Sequence, residues 1–213
     1  MKTLSTLIII LLFGGQFSQS LASNYDSAML ACIKQIYSSR TQEEYQASIN
    51  MFERIALKEQ DHWEPHYYAA FGYIMLAIQA SEPDQKDGYL DQADNKITDA
   101  MELSPDNVEL LALKGFADMI RITVDPPSRG AKYSMQSMAS LQKALQIDPD
   151  NPRALYLCGE MEFGTARFLG LDTTGACAKL AAAIERFDQE SPENPLAPKW
   201  GKDNALRTRK NCQ

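Results

Sequence analysis

The sequence predicts an all-α protein in which about four helix pairs form a right-handed solenoid that ends in a C-terminal capping helix. The first observation is composition: the chain has 25 Ala and 22 Leu but only 2 Val, whereas the faces of a β-sheet are rich in β-branched residues. The second is periodicity, because short proline-containing turns recur about every 44 residues. The third is spacing, since small and large apolar residues follow one another at helical intervals between those turns.

Composition and charge are typical of a folded, acidic protein. Of the 213 residues, 45% are apolar and 23% are charged, and the formal net charge is −7 with a pI near 4.9. Nucleic acids and anionic lipids attract basic surfaces. These values therefore argue against a nucleic-acid partner and against binding to an acidic membrane surface.

The first 22 residues have the pattern of a signal peptide. A lysine near the N-terminus precedes an apolar run, residues 7–13, that is too short to span a bilayer. Ser20 and Ala22 place small residues three and one positions before a cut after Ala22, as signal peptidase requires. A retained membrane anchor is the alternative. We expect cleavage after Ala22, which leaves residues 23–213 as a single repeat domain with no membrane segment.

Three turn sequences mark the ends of the repeating units. They read Ser-Pro-Asp-Asn, Asp-Pro-Asp-Asn and Ser-Pro-Glu-Asn, and their prolines, Pro105, Pro149 and Pro192, are 44 and 43 residues apart. Proline ends one helix. The asparagine offers a side-chain acceptor to the first backbone N–H groups of the next. We therefore expect one helix to end before each turn and another to begin after it.

Each unit contains a glycine in its first helix and a small–large–small pattern in its second. The glycines are Gly72, Gly115 and Gly159, 43 and 44 residues apart, and the pattern is clearest in residues 93–100 and 137–144. Small residues let a neighbouring helix approach, and the large residue fills the space between the two helices. This spacing indicates antiparallel helix pairs.

The C-terminal residues are expected to cap the stack. Trp200 is expected to cover the apolar end of the last helix pair. Residues 202–211 are expected to form the capping helix, because their basic side chains suit a solvated face and a helix C-terminus.

Four cysteines follow the expected cleavage site, and their spacing fits no CxxC motif. Cys158 lies in a first helix and Cys177 early in the partner helix, so the two sit at a similar level of an antiparallel pair. A Cys158–Cys177 disulfide is one prediction, and two free buried thiols are the alternative. Cys32 and Cys212 belong to opposite ends of the stack and are not expected to pair.

These glycines, the small–large–small pattern and the later prolines resemble the tetratricopeptide repeat (TPR), a unit of two antiparallel helices. The resemblance is partial, because the tryptophan position of the family holds Tyr68, Leu111 and Leu155. The units are also about ten residues longer than the standard 34, and the excess falls between the helices, at residues 82–88 and 125–132. The resemblance implies a solenoid whose first helices line a concave surface that can bind a partner.

Three segments resemble a narrower group, the uncharacterised exported repeat proteins of Bacteroidota-type bacteria. These segments are residues 124–134, 151–156 and 198–201, within a resemblance that covers most of residues 40–205. The resemblance implies a periplasmic location. It implies no activity, ligand or cofactor.

No set of residues predicts catalysis or a resident metal. His62 and His66, the two histidines, have the i, i+4 spacing that can bind a metal on one helix face. Pro65, however, typically starts a helix, which places His62 before that helix and favours a helix-entry turn. The sequence shows neither a nucleophile elbow nor a phosphate-binding loop. We therefore expect a protein that is not an enzyme and that has no cofactor.

The insert at residues 125–134 is a possible site of its own. Arg129, Lys132 and Tyr133 make this segment basic and aromatic, which is chemistry that can receive a carboxylate or a phosphate. The alternative is structural, because the two prolines of the segment shape a turn and Arg129 can pair with a nearby acid.

The main candidate surface is a stripe along the first helices. In each helix the positions six and three before the glycine, and one and four after it, share one side, and the TPR resemblance implies that this side faces the groove. The members are His66, Ala69, Tyr73 and Leu76, then Glu109, Ala112, Phe116 and Met119, then Arg153, Tyr156, Glu160 and Phe163. We expect the stripe to bind a protein or peptide through an apolar or amphipathic segment. The alternatives are packing of these aromatics inside the fold, and a small-ligand site or enzyme at residues 125–134.

Overall fold

The computed structural model describes residues 14–191 and 194–212, with side chains from Asn24 onward. Within these residues the regular structure is entirely helical, so the predicted all-α class is confirmed. The helices are α1 (Gly14–Ser38), α2 (Gln42–Lys58), α3 (Glu64–Gln79), α4 (Pro83–Leu103), α5 (Val108–Ile122), α6 (Pro126–Ile147), α7 (Pro152–Leu169), α8 (Thr174–Gln189) and α9 (Lys202–Arg209).

Capping side chains set the starts of four helices, α2, α5, α6 and α7. Asn107 and Asn151, each at the end of a proline-containing turn, accept hydrogen bonds from backbone N–H groups in the first turns of α5 and α7. Thr41 begins α2 with a capping box, because its hydroxyl accepts from the Glu44 N–H and the Glu44 carboxylate accepts from the Thr41 N–H. Such bonds satisfy donors that a helix start otherwise leaves unpaired.

The helices stack as a solenoid of pairs. The first helices α3, α5 and α7 pack against one another in sequence, and each of α2, α4 and α6 packs between two successive first helices. This arrangement puts the first helices on one side of the stack, which we call the inner face. The predicted solenoid of four helix pairs is confirmed, and neighbouring pairs bury each other's apolar sides as repeat proteins do.

The repeated glycines are points of close helix contact. A Cβ atom added at Gly115 would lie 2.7 Å from Leu141 of the following helix, α6, and Gly159 packs on α8 in the same way. Gly72 differs, because a Cβ atom there would lie 2.6 Å from Ile49 of the preceding helix, α2. Helix α3 is therefore turned about its axis relative to α5 and α7.

The extra residues of the repeats are helical, which corrects the predicted loops at residues 82–88 and 125–132. Proline occupies the first positions of both α4 and α6, where its fixed φ and missing N–H are tolerated. Asp125 supports the start of α6, because its carboxylate accepts hydrogen bonds from the N–H and the hydroxyl of Ser128. The inserts therefore lengthen α4 and α6 to 21 and 22 residues, against 16 and 15 in α3 and α5.

The chain before the capping helix crosses the inner face instead of covering the end of the last pair. We call residues 194–200 the C-terminal strap. Trp200 of this strap is stacked between Phe71 of α3 and Phe116 of α5, with ring centroids 5.8 and 5.3 Å away. The capping helix is confirmed at Lys202–Arg209. The predicted position of Trp200 was wrong, because its ring fits an aromatic cleft in the middle of the stack.

The disulfide joins Cys177 to Cys212, with Cα atoms 5.8 Å apart, and not Cys158 to Cys177. Helix α9 packs back against α7 and α8, which brings Cys212 beside the first turn of α8. Cys158 and Cys32 are free and buried, and burial raises the pKa of the Cys158 thiol to about 11. The predicted pairing was wrong because the C-terminal chain returns to α8, whereas the expectation that Cys32 and Cys212 do not pair is confirmed.

Most of the predicted signal peptide falls outside the described residues. Residues 1–13 are not among them, and the backbone of α1 runs through the predicted cleavage position at Ala22. Cleavage after Ala22 stays a prediction. In the part of the chain that the structure describes, every helix is too short or too polar to cross a membrane.

Candidate functional site

On α5 and α7 the predicted stripe lies on the inner face, where the chain's own C-terminal residues cover it. Phe116 is 8% exposed and stacks on Trp200. The Glu160 carboxylate accepts a hydrogen bond of 3.0 Å from the Thr208 hydroxyl of α9. Tyr156 is buried, and burial together with the charge of Glu160 raises its pKa. All three side chains contact the C-terminal chain, and Phe116 and Tyr156 are buried.

Three tyrosine hydroxyls on α1 and α3 hold the C-terminal strap. Tyr68 donates to the carbonyl of Leu196 at 2.7 Å. Tyr67 accepts from the indole N–H of Trp200 at 2.7 Å, and Tyr37 accepts from the backbone N–H of Lys199 at 3.0 Å. Hydroxyls and aromatic rings of this kind are groups that can bind an extended peptide. Among the described residues, the centre of the inner face is thus occupied by the protein itself.

Arg153, expected to meet an acidic group of a partner, is paired within the chain. Its Nε lies 2.5 Å from Glu109 Oε2, its Nη2 lies 3.0 Å from Glu109 Oε1, and a further hydrogen bond joins it to Glu190. Burial alone lowers the pKa of a guanidinium, but the carboxylates of Glu109 and Glu190 raise the pKa of Arg153 above its ordinary value. With a side chain only 3% exposed, Arg153 joins α5, α7 and the end of α8.

His66 and Tyr73 lie on the side of α3 that faces the second helices, which corrects the predicted stripe. His66 Nδ1 is 3.5 Å from Asp99 Oδ2 of α4, and the Tyr73 hydroxyl donates to Glu53 Oε1 of α2 at 3.2 Å. The predicted stripe requires the same orientation for every repeated glycine. Because Gly72 packs on α2 instead of α4, the inner side of α3 carries the aromatics that contact the C-terminal strap.

Two further members of the stripe, Met119 and Phe163, lie at the edge of the core. Met119 is partly buried against the core, and Phe163 is 7% exposed with the Arg167 guanidinium 5.8 Å from its ring centroid. A role in partner binding stays a prediction for both residues.

The basic insert residues lie in the first turns of α6. The Arg129 guanidinium makes two hydrogen bonds, of 2.6 and 2.7 Å, to the Asp87 carboxylate of α4. The Lys132 ammonium lies 4.8 Å from the centroid of the Tyr133 ring. Arg129 therefore pairs with a nearby acid, the structural alternative given above. This pair links the start of α6 to the start of α4.

The two histidines do not meet. His62 precedes α3, and its ring stacks on Tyr25 with a centroid separation of 4.0 Å, whereas His66 lies in the first turn of α3. Across the described ranges, no three His, Cys, Asp or Glu side chains are grouped closely enough to hold a metal ion.

An apolar groove lies between α6, α7 and α8, and the sequence did not predict it. Its volume is about 510 Å³, within the range of about 300–1,000 Å³ that is typical of small-molecule sites. We call it the methionine groove, because Met135, Met138 and Met161 line it. The other lining residues are Ser134, Glu162, Thr165, Ala166, Leu171, Asp172, Gly175 and Ala176.

Large apolar side chains are exposed in the methionine groove, at Met135 and Leu171, and at residues 168–169, which lie in the sequence between its lining residues Ala166 and Leu171. Phe168 is 89% exposed, Met135 70%, Leu171 60% and Leu169 58%. Phe168 lies seven residues after Met161 on α7, and two helical turns put both on the same side of the helix. Exposed apolar side chains clustered around an apolar cavity are typical of a binding surface.

Polar groups border the methionine groove near α8. Lys179 of α8 forms an ion pair with Glu162 of α7. Asp172 accepts hydrogen bonds from the hydroxyl and the N–H of Thr174, and these bonds lower its pKa. An apolar floor with charged groups at one edge suits an amphipathic small molecule.

Comparison with known proteins gives structural neighbours only. No protein-family model matches the chain, and no curated protein matches it by sequence. The HusA haemophore from Porphyromonas gingivalis is similar over 89% of this chain and 92% of its own, with a TM-score of 0.80 and 26% identity. The thermophilic TPR protein TTC0263 from Thermus thermophilus is similar over 92% of this chain and 93% of its own, with a TM-score of 0.52 and 16% identity.

These neighbours agree with the expected TPR-like fold and with the expected resemblance to proteins of the Bacteroidota. TTC0263 supports the TPR-like helical fold, and HusA comes from a species of the Bacteroidota. One neighbour is named as a haemophore and the other as a TPR protein, and neither is named as an enzyme. The chain is a TPR-like helical repeat protein that resembles binding modules.

Proposed function

We propose that this chain is an exported carrier that binds an apolar small molecule of the porphyrin class in the methionine groove. The observation that carries the proposal is the combination of an apolar groove of about 510 Å³ with two large apolar lining side chains that are mostly exposed, Met135 and Leu171. The similarity to a haemophore over 89% of the chain supports the class of ligand.

The chemistry of the groove fits a flat, largely apolar ring system. Methionine side chains are flexible and polarisable, and they make favourable contacts with aromatic ring edges. A thioether is also one of the protein groups that ligate haem iron, so the groove accommodates either a metal-free ring or its iron complex as cargo. Phe168, nearly fully exposed, offers an aromatic face that a bound ring can cover.

The charged edge of the groove fits the acidic substituents that natural porphyrins carry. Lys179 is 42% exposed on its side chain and paired with Glu162, itself 34% exposed. A partly solvated pair of this kind is weakly held, so a ligand carboxylate can share the lysine. The apolar floor then receives the ring, and Lys179 orients its acidic edge.

Titration of the purified chain with haemin and with metal-free protoporphyrin tests this proposal. We expect saturable changes in ligand absorbance, and affinity about tenfold weaker in Met135→Glu and in Leu171→Glu, because each change puts a negative charge on the apolar surface and repels the acidic substituents of the ligand. Both side chains are mostly exposed, so both variants should fold. Ile147→Glu, at the far end of the same helix as Met135 and 47% exposed, is the matched control and should bind as the original chain does. The proposal is contradicted if neither porphyrin binds with saturation.

A peptide is the second candidate occupant of the methionine groove, favoured by the TPR-like fold. An amphipathic helix lays an apolar face into a groove of this type. If a peptide is the ligand, porphyrins will not bind with saturation, and an apolar helical peptide will shift the signals of the same groove residues.

We further propose that the mature chain begins after Ala22 and resides in the periplasm. The pattern of residues 1–22 supports this, with its apolar run and its small residues before the cut. N-terminal sequencing of the protein from a periplasmic extract should start at residue 23, and a start at residue 1 would contradict the proposal.

A further inference from the structure

The disulfide lies beside the methionine groove. Gly175 and Ala176 line the groove, and Cys177 is the next residue in the first turn of α8. Cys177 is bonded to Cys212, which follows α9, and their Cα atoms are 5.8 Å apart. The part of the groove wall that α8 supplies is thus joined covalently to the chain after α9.

Apart from the disulfide, the first turn of α8 is held lightly. Its N-cap residue, Thr173, makes no capping hydrogen bond to the helix through its side chain. A Cβ atom added at Gly175 would meet no atom of the described chain within 4 Å. The hydrogen bonds that Asp172 accepts from Thr174 stay within the same turn. Ala176, which is buried, supplies the contact of this turn with α7.

Helix α9 also has weak attachments besides the disulfide. The buried residue of this eight-residue helix is Ala205. Thr208 donates to Glu160 of α7 at 3.0 Å, and Lys202 pairs with Asp188 of α8 at a position where both side chains are about half exposed. Surface ion pairs contribute little, and an isolated helix of this length is unstable in water. Much of the attachment of α9 to α8 therefore depends on the disulfide.

We infer that the redox state of the Cys177–Cys212 disulfide controls ligand binding in the methionine groove. While the disulfide is formed, the first turn of α8 is fixed and the groove keeps its shape. After reduction, loop closure no longer restricts the chain between the two cysteines. One wall of the groove must then be ordered when the ligand binds, which lowers the affinity. The inference rests on the proposed porphyrin function and adds the regulation of that same site.

The reaction that opens the disulfide is an exchange with a dithiol. One thiolate of the dithiol attacks a sulfur of the disulfide and forms a mixed disulfide, and the second thiolate then releases the protein thiol. The dithiol becomes a disulfide, and the two electrons and two protons that it loses appear as two cysteine thiols. Cys177 and Cys212 are both partly exposed, so a small dithiol can reach the bond.

This control connects ligand binding to export. The bacterial cytosol keeps thiols reduced, whereas the periplasm permits disulfides. A chain made in the cytosol would therefore acquire its full affinity only after export, in agreement with the location proposed above.

Titration of metal-free protoporphyrin into the oxidised chain and into the chain reduced with dithiothreitol tests the inference. The metal-free ring is used because a dithiol can reduce or ligate iron. We expect the Kd to rise about tenfold on reduction, a usual size for coupling between two sites, and to return on reoxidation. An unchanged Kd would overturn the inference and leave the proposed function standing. Absence of saturable binding by the oxidised chain would contradict the proposed function, and the inference with it.

Two measurements without ligand keep the effects of reduction apart. In NMR spectra of the free chain, the methyl signals of Met138 and Met161 should change on reduction, while that of Met29 in α1 stays in place. Unchanged signals of both groove methionines would overturn the inference whatever the porphyrin result. Circular dichroism should show that the reduced chain keeps its helices. Loss of most of the helical signal would show that reduction unfolds the chain, and would also overturn the inference.

Two cysteine variants identify the bond that is responsible. Cys212→Ser removes the disulfide, and it should bind protoporphyrin as weakly as the reduced chain does, with or without dithiothreitol. Cys32→Ala removes a free, buried thiol of α1, and it should keep both the original affinity and the response to dithiothreitol. Binding by Cys212→Ser as tight as that of the oxidised original chain, or equal responses of the two variants to dithiothreitol, would overturn the inference.

Discussion

Single side chains decide which surfaces of this protein are open to a ligand. Trp200 fills the aromatic cleft between Phe71 and Phe116, and Arg153 is enclosed by two carboxylates. Both are residue types that often dominate interfaces, and here both are used inside the fold. Met135 and Phe168, by contrast, are left 70% and 89% exposed. The candidate site is therefore best recognised by apolar side chains that the fold does not bury.

The reactivity of the four cysteines tests the structure at the scale of single residues. A thiol reagent at pH 8 should find no reactive thiol in the native chain, because Cys32 and Cys158 are buried and burial raises the pKa of both. Only the thiolate reacts. After unfolding without reductant, two thiols should react, and after unfolding with reductant all four should react.

Peptide mapping under non-reducing conditions completes that test. It should recover Cys177 linked to Cys212. A Cys158–Cys177 peptide, or four reactive thiols before reduction, would show that the C-terminal chain is not fastened to α8.

At the scale of the helix, close contacts between pairs set the geometry of the stack. Gly115 and Gly88 provide a matched comparison, because both lie inside helices but only Gly115 faces a neighbour. Gly115→Ala should lower the free energy of unfolding by about 1–2 kcal/mol, since overpacking against Leu141 outweighs the gain in helix propensity. In Gly88→Ala the added Cβ has no atom within 4 Å. The free energy of unfolding should therefore rise by about 0.5–1 kcal/mol.

Urea unfolding of the two variants measures both changes. A stabilising Gly115→Ala would mean that α5 and α6 are further apart than the structure has them. Leu141→Ala should cost less stability in the Gly115→Ala background than in the original chain, because the clash with the new Cβ is then relieved and the Cβ fills part of the space that Leu141 leaves.

Helix pairs were predictable from the sequence because their signals are local. The turns before α5 and α7 carry a proline and an Asn cap within four residues, and small residues recur at helical spacing. The orientation of α3 was not predictable in this way. Its glycine has the expected position in the repeat, but packing on Ile49 of α2 turns the helix and moves His66 and Tyr73 off the inner face.

At the scale of the whole molecule, contacts between distant parts of the chain account for what the sequence did not predict. Trp200 meets Tyr67 across 133 positions, and Cys212 meets Cys177 across 35. Neither contact leaves a periodic pattern in the sequence. The methionine groove has the same origin, because its residues come from α6, α7 and the start of α8, and only the stacking of those helices brings them together.

The central claim is that the methionine groove binds a porphyrin-class ligand. NMR of the chain labelled at its methionine methyl groups tests it most directly, with metal-free protoporphyrin as the added ligand, because a flat aromatic ring shifts the signals of methyl groups that it covers. We expect the signals of Met135, Met138 and Met161 to shift with saturation, while that of Met29, fully buried in α1, stays in place. Unchanged signals for all three groove methionines, or shifts confined to methionines outside the groove, would contradict the claim.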